Sequence, residues 1–306
     1  MIDVLVCCHD DAALLPNLLD ALEQQTAKDF RVIVVDNAST DDPRAVIARY
    51  ENRLDIEYVF EPQLGLNRAR NAGYAHARSA FVAHIDADTI PDPQWMQTIL
   101  EVTEQVGCDL LGGPYRPYYP TAKPDWFLDK FMTHDFGPTA RFLDADHPYG
   151  MNMIWRRAVV EHLGRFSTEL GLHGRGLRRG DETELVLRAR KTLPRFCVYY
   201  DPRISVRTAV RPELFSLRYW AARKFAQGRI ARDVRGSAAA GLSWPWPLRA
   251  VTASALFAAM LAKDVVWRRG RRFKTAILED ALPALFHLGS AYQDFRDKIL
   301  SSHKSR

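Results

Sequence analysis

Two carboxylates that lie one residue apart are the first feature of this 306-residue sequence that suggests chemistry. Asp86 and Asp88 end an apolar run in the segment FVAHIDADTIPDP, residues 81–93, and two prolines follow them. A strand that ends in this way either opens the next helix with its acids or holds a metal cation against a phosphate. Hard cations take oxygen ligands, so the residue types suit the second role.

Polar residues also end two other predicted strands. Cys8 ends the apolar segment IDVLVCC, His9 follows it, and Asp36 ends the segment FRVIVVD. Ligands of an open parallel sheet bind beyond the carboxyl ends of its strands. A single acid in such a position is often a helix cap, but several acids at one edge of a sheet are harder to explain by capping.

The segments before residue 110 alternate between strand and helix patterns. Apolar runs at 2–8 and 30–36 predict strands, and LLPNLLDALEQQ at 14–25 places four leucines on one helical face. Strand patterns recur at IEYVFE, FVAHID and CDLLGG, with helix patterns between them. Strands separated by helices of this length predict right-handed crossovers, an α/β fold and a mostly parallel sheet.

The pattern changes after Gly113. Residues 114–149 are rich in Pro, Tyr and Asp and have weak periodicity, which is typical of a functional loop or lid. GMNMIWRRAVVEHLGRF then predicts a strand that leads into a helix, and GDETELVLRARK and RPELFSLRYWAARKFAQGR predict two further helices.

Composition is ordinary for a globular protein, with 47% hydrophobic and 26% charged residues. The four cysteines have no metal-binding spacing, so we expect reduced thiols in a cytosolic protein. The N-terminus has no basic leader or small-residue cleavage site, so we expect no signal peptide.

The basic residues are concentrated in the C-terminal third. From Arg203 onward there are 20 Lys and Arg against 7 Asp and Glu, whereas residues 1–202 have 22 against 30. The apolar stretch 250–262 is too short to cross a bilayer, which takes about 20 residues. Tryptophans and clustered arginines around it suit an in-plane membrane anchor, and two helices packed on the core with a solvated basic face are the alternative. Apolar runs between the charges fit lipid better than nucleic acid, so no nucleic-acid partner is expected.

Five motifs resemble one enzyme family. VVDNASTDD, GLNRARNAG, IDADTIP, GMNMIWRR and GDETELVLRARK occur in the order and spacing of family 2 glycosyltransferases with the GT-A fold, over about residues 1–230. The resemblance implies inverting transfer of a sugar from a nucleotide diphosphate to an acceptor hydroxyl. It also implies a mostly parallel, Rossmann-like sheet flanked by helices, with a C-terminal helical extension.

The resemblance also implies where the donor binds. Asp88 is the expected direct ligand of Mn²⁺ or Mg²⁺, and Asp86 is expected nearer the ribose and a metal-bound water. Asp36 matches the acid that recognises the base, so a uracil or thymine nucleotide is favoured. Arg70 is expected to meet the nucleotide.

Three further residues are expected on the substrate. Backbone groups at Cys8 and His9 are expected to contact the base, and the His9 ring has the shape to stack on it, although it also suits a simple polar strand end. Asn152, in the motif GMNMIWRR, is the remaining predicted substrate contact.

Two departures from the family pattern affect the catalytic assignments. The family has a Glu-Asp pair at the start of a helix, and here the order is Asp181-Glu182. By alignment Glu182 takes the position of the general base, with Asp181 as the alternative, and either acid would also complement the helix dipole. Arg207 stands where many metal-dependent members have a histidine ligand; arginine cannot ligate a metal, but it can pair with a diphosphate.

These observations predict a glycosyltransferase domain at 1–230 and a basic amphipathic helical extension at 231–306. The expected partners are a nucleotide-sugar donor, a saccharide or lipid-linked acceptor and an anionic membrane surface. We expect a cytoplasmic protein, peripheral on the inner face of the membrane, that acts in cell-surface polysaccharide or glycolipid synthesis. A nucleotidyltransferase on a similar sheet and a non-catalytic nucleotide-sugar or lipid-surface binder are the alternatives.

Overall fold

The computed structural model describes residues 1–168, 181–235, 246–267 and 273–304. The chain divides into two compact units. Within the described residues, the first unit contains Met1–Tyr118, 132–168 and Asp181–Val210. The second contains Tyr119–Phe131 and the described residues from Arg211 onward. The predicted domain boundary after residue 230 stays a prediction.

An eight-stranded sheet forms the centre of the first unit, with the strand order β3-β2-β1-β4-β9-β6-β10-β8. The strands are β1 (Ile2–Cys8), β2 (Phe30–Asp36), β3 (Ile56–Phe60), β4 (Phe81–Asp86), β6 (Leu110–Gly112), β8 (Arg141–Leu143), β9 (Asn152–Arg156) and β10 (Val198–Tyr200). The neighbouring pairs among β1, β2, β3 and β4 are parallel, and so are β6 and β10, whereas β8 and β9 run antiparallel to their neighbours. The predicted α/β class with a mostly parallel sheet is confirmed.

Six helices belong to the first unit. They are α1 (Leu15–Glu23), α2 (Pro43–Ile47), α3 (Leu66–His76), α4 (Trp95–Gln105), α5 (Arg157–His162) and α6 (Asp181–Thr192). The four leucines predicted to share a face of α1 are all fully buried. Asp42 caps α2 by accepting a hydrogen bond from the Ala45 amide at 3.0 Å, as the Asp-Pro start of that segment suggests.

The central strands of the first unit are buried on both faces. β1 and β2 read as nearly continuous apolar runs, and every residue of β2 is buried. Such runs are typical of parallel strands covered by helices on both sides. Two apolar cores follow, one on each side of the sheet, and they hold the strand ends in fixed positions.

A second, three-stranded sheet in the first unit has the order β5-β11-β7, made of β5 (Thr89–Pro91), β7 (Tyr115–Tyr118) and β11 (Val206–Ala209). β11 is antiparallel to β5 and parallel to β7. β7 and β8 both lie within residues 114–149, so this predicted loop contains regular structure.

The second unit is helical in its described residues. It contains α7 (Leu217–Arg235), α8 (Trp246–Trp267), α9 (Phe273–Ala276), a π-helical turn at Ile277–Ala281 and α10 (Pro283–Lys304). A Cβ at Gly228 of α7 would lie 1.7 Å from the Phe286 carbonyl oxygen, and one at Gly289 of α10 would lie 2.0 Å from that of Phe225. The two glycines therefore let the backbones of α7 and α10 approach closely.

The helical extension predicted at the C-terminus is confirmed. Among the described residues, no helix has both the length and the apolar character needed to span a membrane.

Candidate active site

The polar strand ends lie at one edge of the large sheet, as the sequence predicts. In the register of β1 and β2, Cys8 is opposite Asp36. In the register of β1 and β4, Cys7 is opposite Asp86. Asn152, at the start of β9, lies beside the end of β4. Strand pairing alone therefore gathers Cys8, Asp36, Asp86 and Asn152.

Asp36 is held firmly at this edge. Its side chain is buried, and it accepts hydrogen bonds from the Ser39 amide at 3.0 Å and from the Tyr58 hydroxyl at 2.8 Å. Burial and the bond to Asp36 raise the pKa of Tyr58 to about 12, so this phenol remains a donor. The carboxylate has acceptor positions beyond these two bonds, so it is available to accept from a ligand N–H.

The turn after β1 presents His9 at the same edge. Its Nδ1 donates to the Asn37 carbonyl oxygen at 2.9 Å, and 38% of its side chain is exposed. Asp10 follows with φ of +55° and accepts from the Thr40 amide at 2.6 Å. The Cys8 thiol lies in the core, and burial raises its pKa. A base contact from Cys8 would therefore come from its backbone.

Asn37 is a positioning residue that the sequence analysis did not single out. Its side chain is buried and accepts from the Gly65 amide at 2.7 Å. Its Nδ2 donates to the carbonyl oxygens of Glu61 and Gln63 at 3.1 and 2.9 Å. One amide thus joins the end of β2, the loop after β3 and the start of α3. Its place directly after Asp36 was the only signal in the sequence.

Asn152 is completely buried. Its Oδ1 accepts from Trp95 Nε1 at 2.9 Å, and its Nδ2 donates to the carbonyl oxygens of Ile204 and Pro114 at 2.7 and 3.3 Å. These bonds join β9 to α4 and to two loops. The predicted substrate contact of Asn152 stays a prediction.

The two acids of the D-x-D segment are both half-buried. The Asp88 carbonyl oxygen accepts from the Ala209 amide at 2.9 Å, which connects this turn to β11. Among the described residues, no group of three or more His, Cys, Asp and Glu side chains could hold a metal ion. Two carboxylates nevertheless fit Mg²⁺ or Mn²⁺, because such ions are commonly bound by one or two carboxylates together with substrate phosphates and water.

Arg70 and Glu182 form an ion pair. Arg70 lies on α3, is 3% exposed, and places Nη2 2.8 Å from Glu182 Oε1 at the start of α6. Glu182 is 21% exposed, so part of its carboxylate is accessible to solvent. The Arg70 guanidinium also lies 5.2 Å from the centre of the Phe166 ring. The structure thus brings together a predicted base and a residue predicted to meet the nucleotide.

A neutral histidine lies among these groups. Burial and, to a smaller extent, the charge of Arg70 lower the pKa of His84 to about 3. His84 Nε2 is 3.0 Å from the Tyr74 hydroxyl. Because the His84 imidazole is neutral, it adds no second positive charge near Arg70. The negative charge of Glu182 therefore balances the charge of the Arg70 guanidinium.

The segment before β9 packs directly on the start of α6. A Cβ at Gly150 would lie 2.0 Å from Glu182 Oε1 and 2.8 Å from Arg70 Nη2. His147 Nε2 accepts from the Thr183 hydroxyl at 3.1 Å. A side chain at position 150 would therefore push the ends of the Glu182 and Arg70 side chains aside, a close approach that the sequence analysis missed.

Asp181 and Arg207 are the two remaining predicted residues, and the structure describes the side chain of only Arg207. Asp181 begins α6, but its side chain lies outside the described residues. Arg207 is exposed in the middle of β11, one residue before Thr208, which pairs with Thr89 next to Asp88. Arg207 therefore lies close to the D-x-D segment, as the alignment of motifs suggests.

Comparison with known proteins identifies the family. The model of glycosyl transferase family 2 matches residues 3–164, which is more than half of the chain. The chain is 27% identical over 285 residues to the succinoglycan biosynthesis protein ExoM of Rhizobium meliloti, and the match covers 90% of each protein. It is 38% identical over 104 residues to validoxylamine A glucosyltransferase of Streptomyces hygroscopicus, where it covers 33% of this chain and a quarter of that protein.

Solved structures share the fold. The mannosyltransferase PcManGT of Pyrobaculum calidifontis, in complex with GDP-Man and Mn²⁺, has a TM-score of 0.66 and 18% identity, covering 97% of this chain and 87% of that one. S. aureus TarS in complex with UDP has a TM-score of 0.54 and 17% identity, covering 97% and 91%. This chain shares the GT-A fold with both structures. The fold, the ordered motifs and the family match agree, so this chain belongs to glycosyl transferase family 2.

Proposed function

We propose that this protein is an inverting glycosyltransferase that moves a sugar from a nucleotide diphosphate sugar to an acceptor hydroxyl. The observation that carries the proposal is the placement of Asp36, Asp86 and Asp88 at one sheet edge, together with a partly exposed Glu182 held by Arg70. Asp36 suits recognition of the nucleobase. Asp86 and Asp88 suit a cation that would hold the diphosphate, and Glu182 suits the general base. A UDP-sugar is the favoured donor because Asp36 can accept the imide N–H of uracil.

The proposed reaction is a single displacement. Glu182 takes the proton of the acceptor hydroxyl while the oxygen of that hydroxyl attacks the anomeric carbon. The bond from that carbon to the diphosphate oxygen breaks, and the electron pair leaves with the diphosphate, so the configuration inverts. Arg70 keeps the Glu182 carboxylate in place, and the Gly150 backbone lies beside the pair.

Asp86 and Asp88 are the residues that would hold Mn²⁺ or Mg²⁺. A bound cation would neutralise charge on the leaving diphosphate. The relative ExoM is named for succinoglycan biosynthesis. For this protein we propose that the acceptor is a lipid-linked saccharide and that the product is a cell-surface polysaccharide or glycolipid.

A nucleotide panel tests the function. The melting temperature should rise with one of UDP, GDP and dTDP, since a ligand that binds the native state stabilises it by mass action. UDP should then be released slowly from a UDP-sugar in water alone and faster when an acceptor takes up the sugar. Absence of stabilisation by every nucleoside diphosphate, with and without Mn²⁺, would contradict the proposal. Release of pyrophosphate from a nucleoside triphosphate would favour a nucleotidyltransferase.

We also propose that the second unit binds the anionic inner surface of the cell membrane. On α8, Leu248, Val251 and Leu256 are exposed, and Ala253 is the one side chain of this helix that is buried among those described. An exposed apolar helix face of this kind marks an interaction surface. Residues 211–306 contain 18 Lys and Arg against 7 Asp and Glu, which favours an anionic lipid surface as the partner.

Vesicle binding tests this proposal. Replacing Leu248, Val251 and Leu256 together by Ser should lower partition onto phosphatidylglycerol-containing vesicles at least about tenfold, because each loses apolar burial of about 1 kcal/mol or more. Phe142→Ser, which changes an exposed aromatic residue of β8, is the matched control and should bind as the wild type does.

Charge reversal gives a second arm of the same experiment. Arg268, Arg269, Arg271 and Arg272 lie outside the described residues, and each should contribute about 1 kcal/mol near an anionic surface. Changing all four to Glu should abolish the preference for anionic over neutral vesicles. Equal vesicle binding by the wild type and both variants would refute the membrane proposal.

A further inference from the structure

The register of the three-stranded sheet places two arginines side by side. Arg207 of β11 is directly opposite Arg116 of the parallel strand β7. Neighbouring strands lie about 4.8 Å apart, and opposite residues project from the same face of a sheet. Both arginines are exposed, so their guanidinium groups extend from one face of this sheet into solvent.

The same face carries the D-x-D segment. Ala209 of β11 donates to the Asp88 carbonyl oxygen, so Asp88 continues β5 opposite Ala209. Alternate residues of a strand share a face, and Arg207 is two residues from Ala209. Two residues along a strand span about 7 Å, a distance that an extended arginine side chain can cross. Asp88, Arg207 and Arg116 therefore project toward one region.

This arrangement is electrostatically unfavourable by itself. Like charges directly opposite each other destabilise a sheet. The Arg207 side chain makes no hydrogen bond or ion pair with any residue that the structure describes. Arg116 has Asp135 as its counter-ion, but the contact is 3.6 Å, and the two side chains are 58% and 35% exposed. Two closely spaced guanidinium groups with so little negative charge beside them form a favourable binding site for a polyvalent anion.

We infer that Arg116 and Arg207 form a two-arginine clamp for the diphosphate of the nucleotide. The inference rests on the proposed function and extends it, since it assigns part of the charge neutralisation to this chain's own cations. Each guanidinium presents paired N–H donors that match phosphate oxygens. A diphosphate offers oxygens on two phosphorus atoms, so it can engage both arginines, whereas a monophosphate offers oxygens on one.

The two-arginine clamp predicts that the protein prefers a nucleoside diphosphate to a monophosphate even when metal is removed. In EDTA, the wild type should bind the nucleoside diphosphate that stabilises it more tightly than the matching monophosphate or nucleoside. Arg116→Gln with Arg207→Gln should lower diphosphate affinity at least tenfold and change nucleoside affinity less than twofold. Affinities would be measured by titrated thermal shift. Arg141→Gln, which removes one exposed positive charge from the edge strand β8, is the matched control and should behave as the wild type does.

Inorganic pyrophosphate supplies a second measurement on the unmodified protein. In EDTA it should compete with the nucleoside diphosphate and leave nucleoside binding unchanged. If the wild type binds a nucleoside diphosphate but the double variant binds it equally well, or if pyrophosphate does not compete, the clamp is wrong and the proposed function stands. If no nucleoside diphosphate binds the wild type under any condition, the proposed function itself fails.

Discussion

Glu182→Gln is expected to lower the turnover of sugar transfer by about 10²–10⁴-fold, the usual contribution of a general base. The amide keeps the size of the side chain and an oxygen that can still accept from Arg70, but it cannot take a proton from the acceptor. Because the base lies on the acceptor side of the reacting carbon, nucleotide-sugar affinity should stay close to that of the wild type. Initial rates and donor titrations on the same variant would separate the two effects.

Two neighbouring acids make this prediction specific. Glu184, on the same helix, pairs with Arg188 at 2.8 Å, so Glu184→Gln changes a charge of the same kind without removing the base. Asp181→Asn should reduce turnover only about tenfold if Asp181 supports the start of α6, which is below the range for a general base. Loss of turnover in Asp181→Asn with an active Glu182→Gln would assign the base to Asp181. Weaker donor binding in both would assign the acids to the donor site.

The backbone at Gly150 offers an independent route to the same carboxylate. Gly150→Ala would force a methyl group against Glu182 and Arg70, so it should displace the base while leaving its chemistry intact. Turnover should fall at least about tenfold, since small misplacements of catalytic groups are costly. Gly107→Ala is the matched control, because a Cβ at Gly107 has nothing within 4 Å. Equal turnover in both alanine variants would argue against Glu182 as the base.

Asp88→Asn is expected to lower transfer about a hundredfold or more. It nearly keeps the size of the side chain but removes a charged ligand, and lost stabilisation of charge on the leaving diphosphate costs a few kcal/mol. The stabilisation of the protein by nucleoside diphosphate should also lose its dependence on Mn²⁺. Asp92→Asn, four residues further along the chain, is the control and should retain both properties.

Near-normal turnover in Asp88→Asn would contradict the metal hypothesis. It would not contradict the proposed transfer reaction, because Arg207 and Arg116 would then carry the charge of the diphosphate. The Asp88 and arginine variants together therefore report how the neutralisation is divided between a metal and the protein's own cations.

The sequence alone predicted the elements of the fold well. The apolar runs of β1 and β2 and the leucine face of α1 repeat with the period of one strand or one helix, so each can be recognised locally. Polar residues at the ends of these strands predicted a site at one sheet edge, since parallel strands end on the same side. The ordered motifs predicted the family, and the family match confirmed it.

The tertiary structure decided which of these residues touch each other. Arg70 and Glu182 are 112 residues apart in the chain, and Arg116 meets Arg207 only through the pairing of two short strands. Asn37 bonds to backbone groups distant in sequence, and Gly150 packs on side chains distant in sequence. The exposure of α8 depends on what packs around it. Periodicity records whether a side chain is buried within its own element, whereas these contacts depend on register and packing between elements. That physical difference is why the elements of the site were predictable from the sequence and its ion pairs were not.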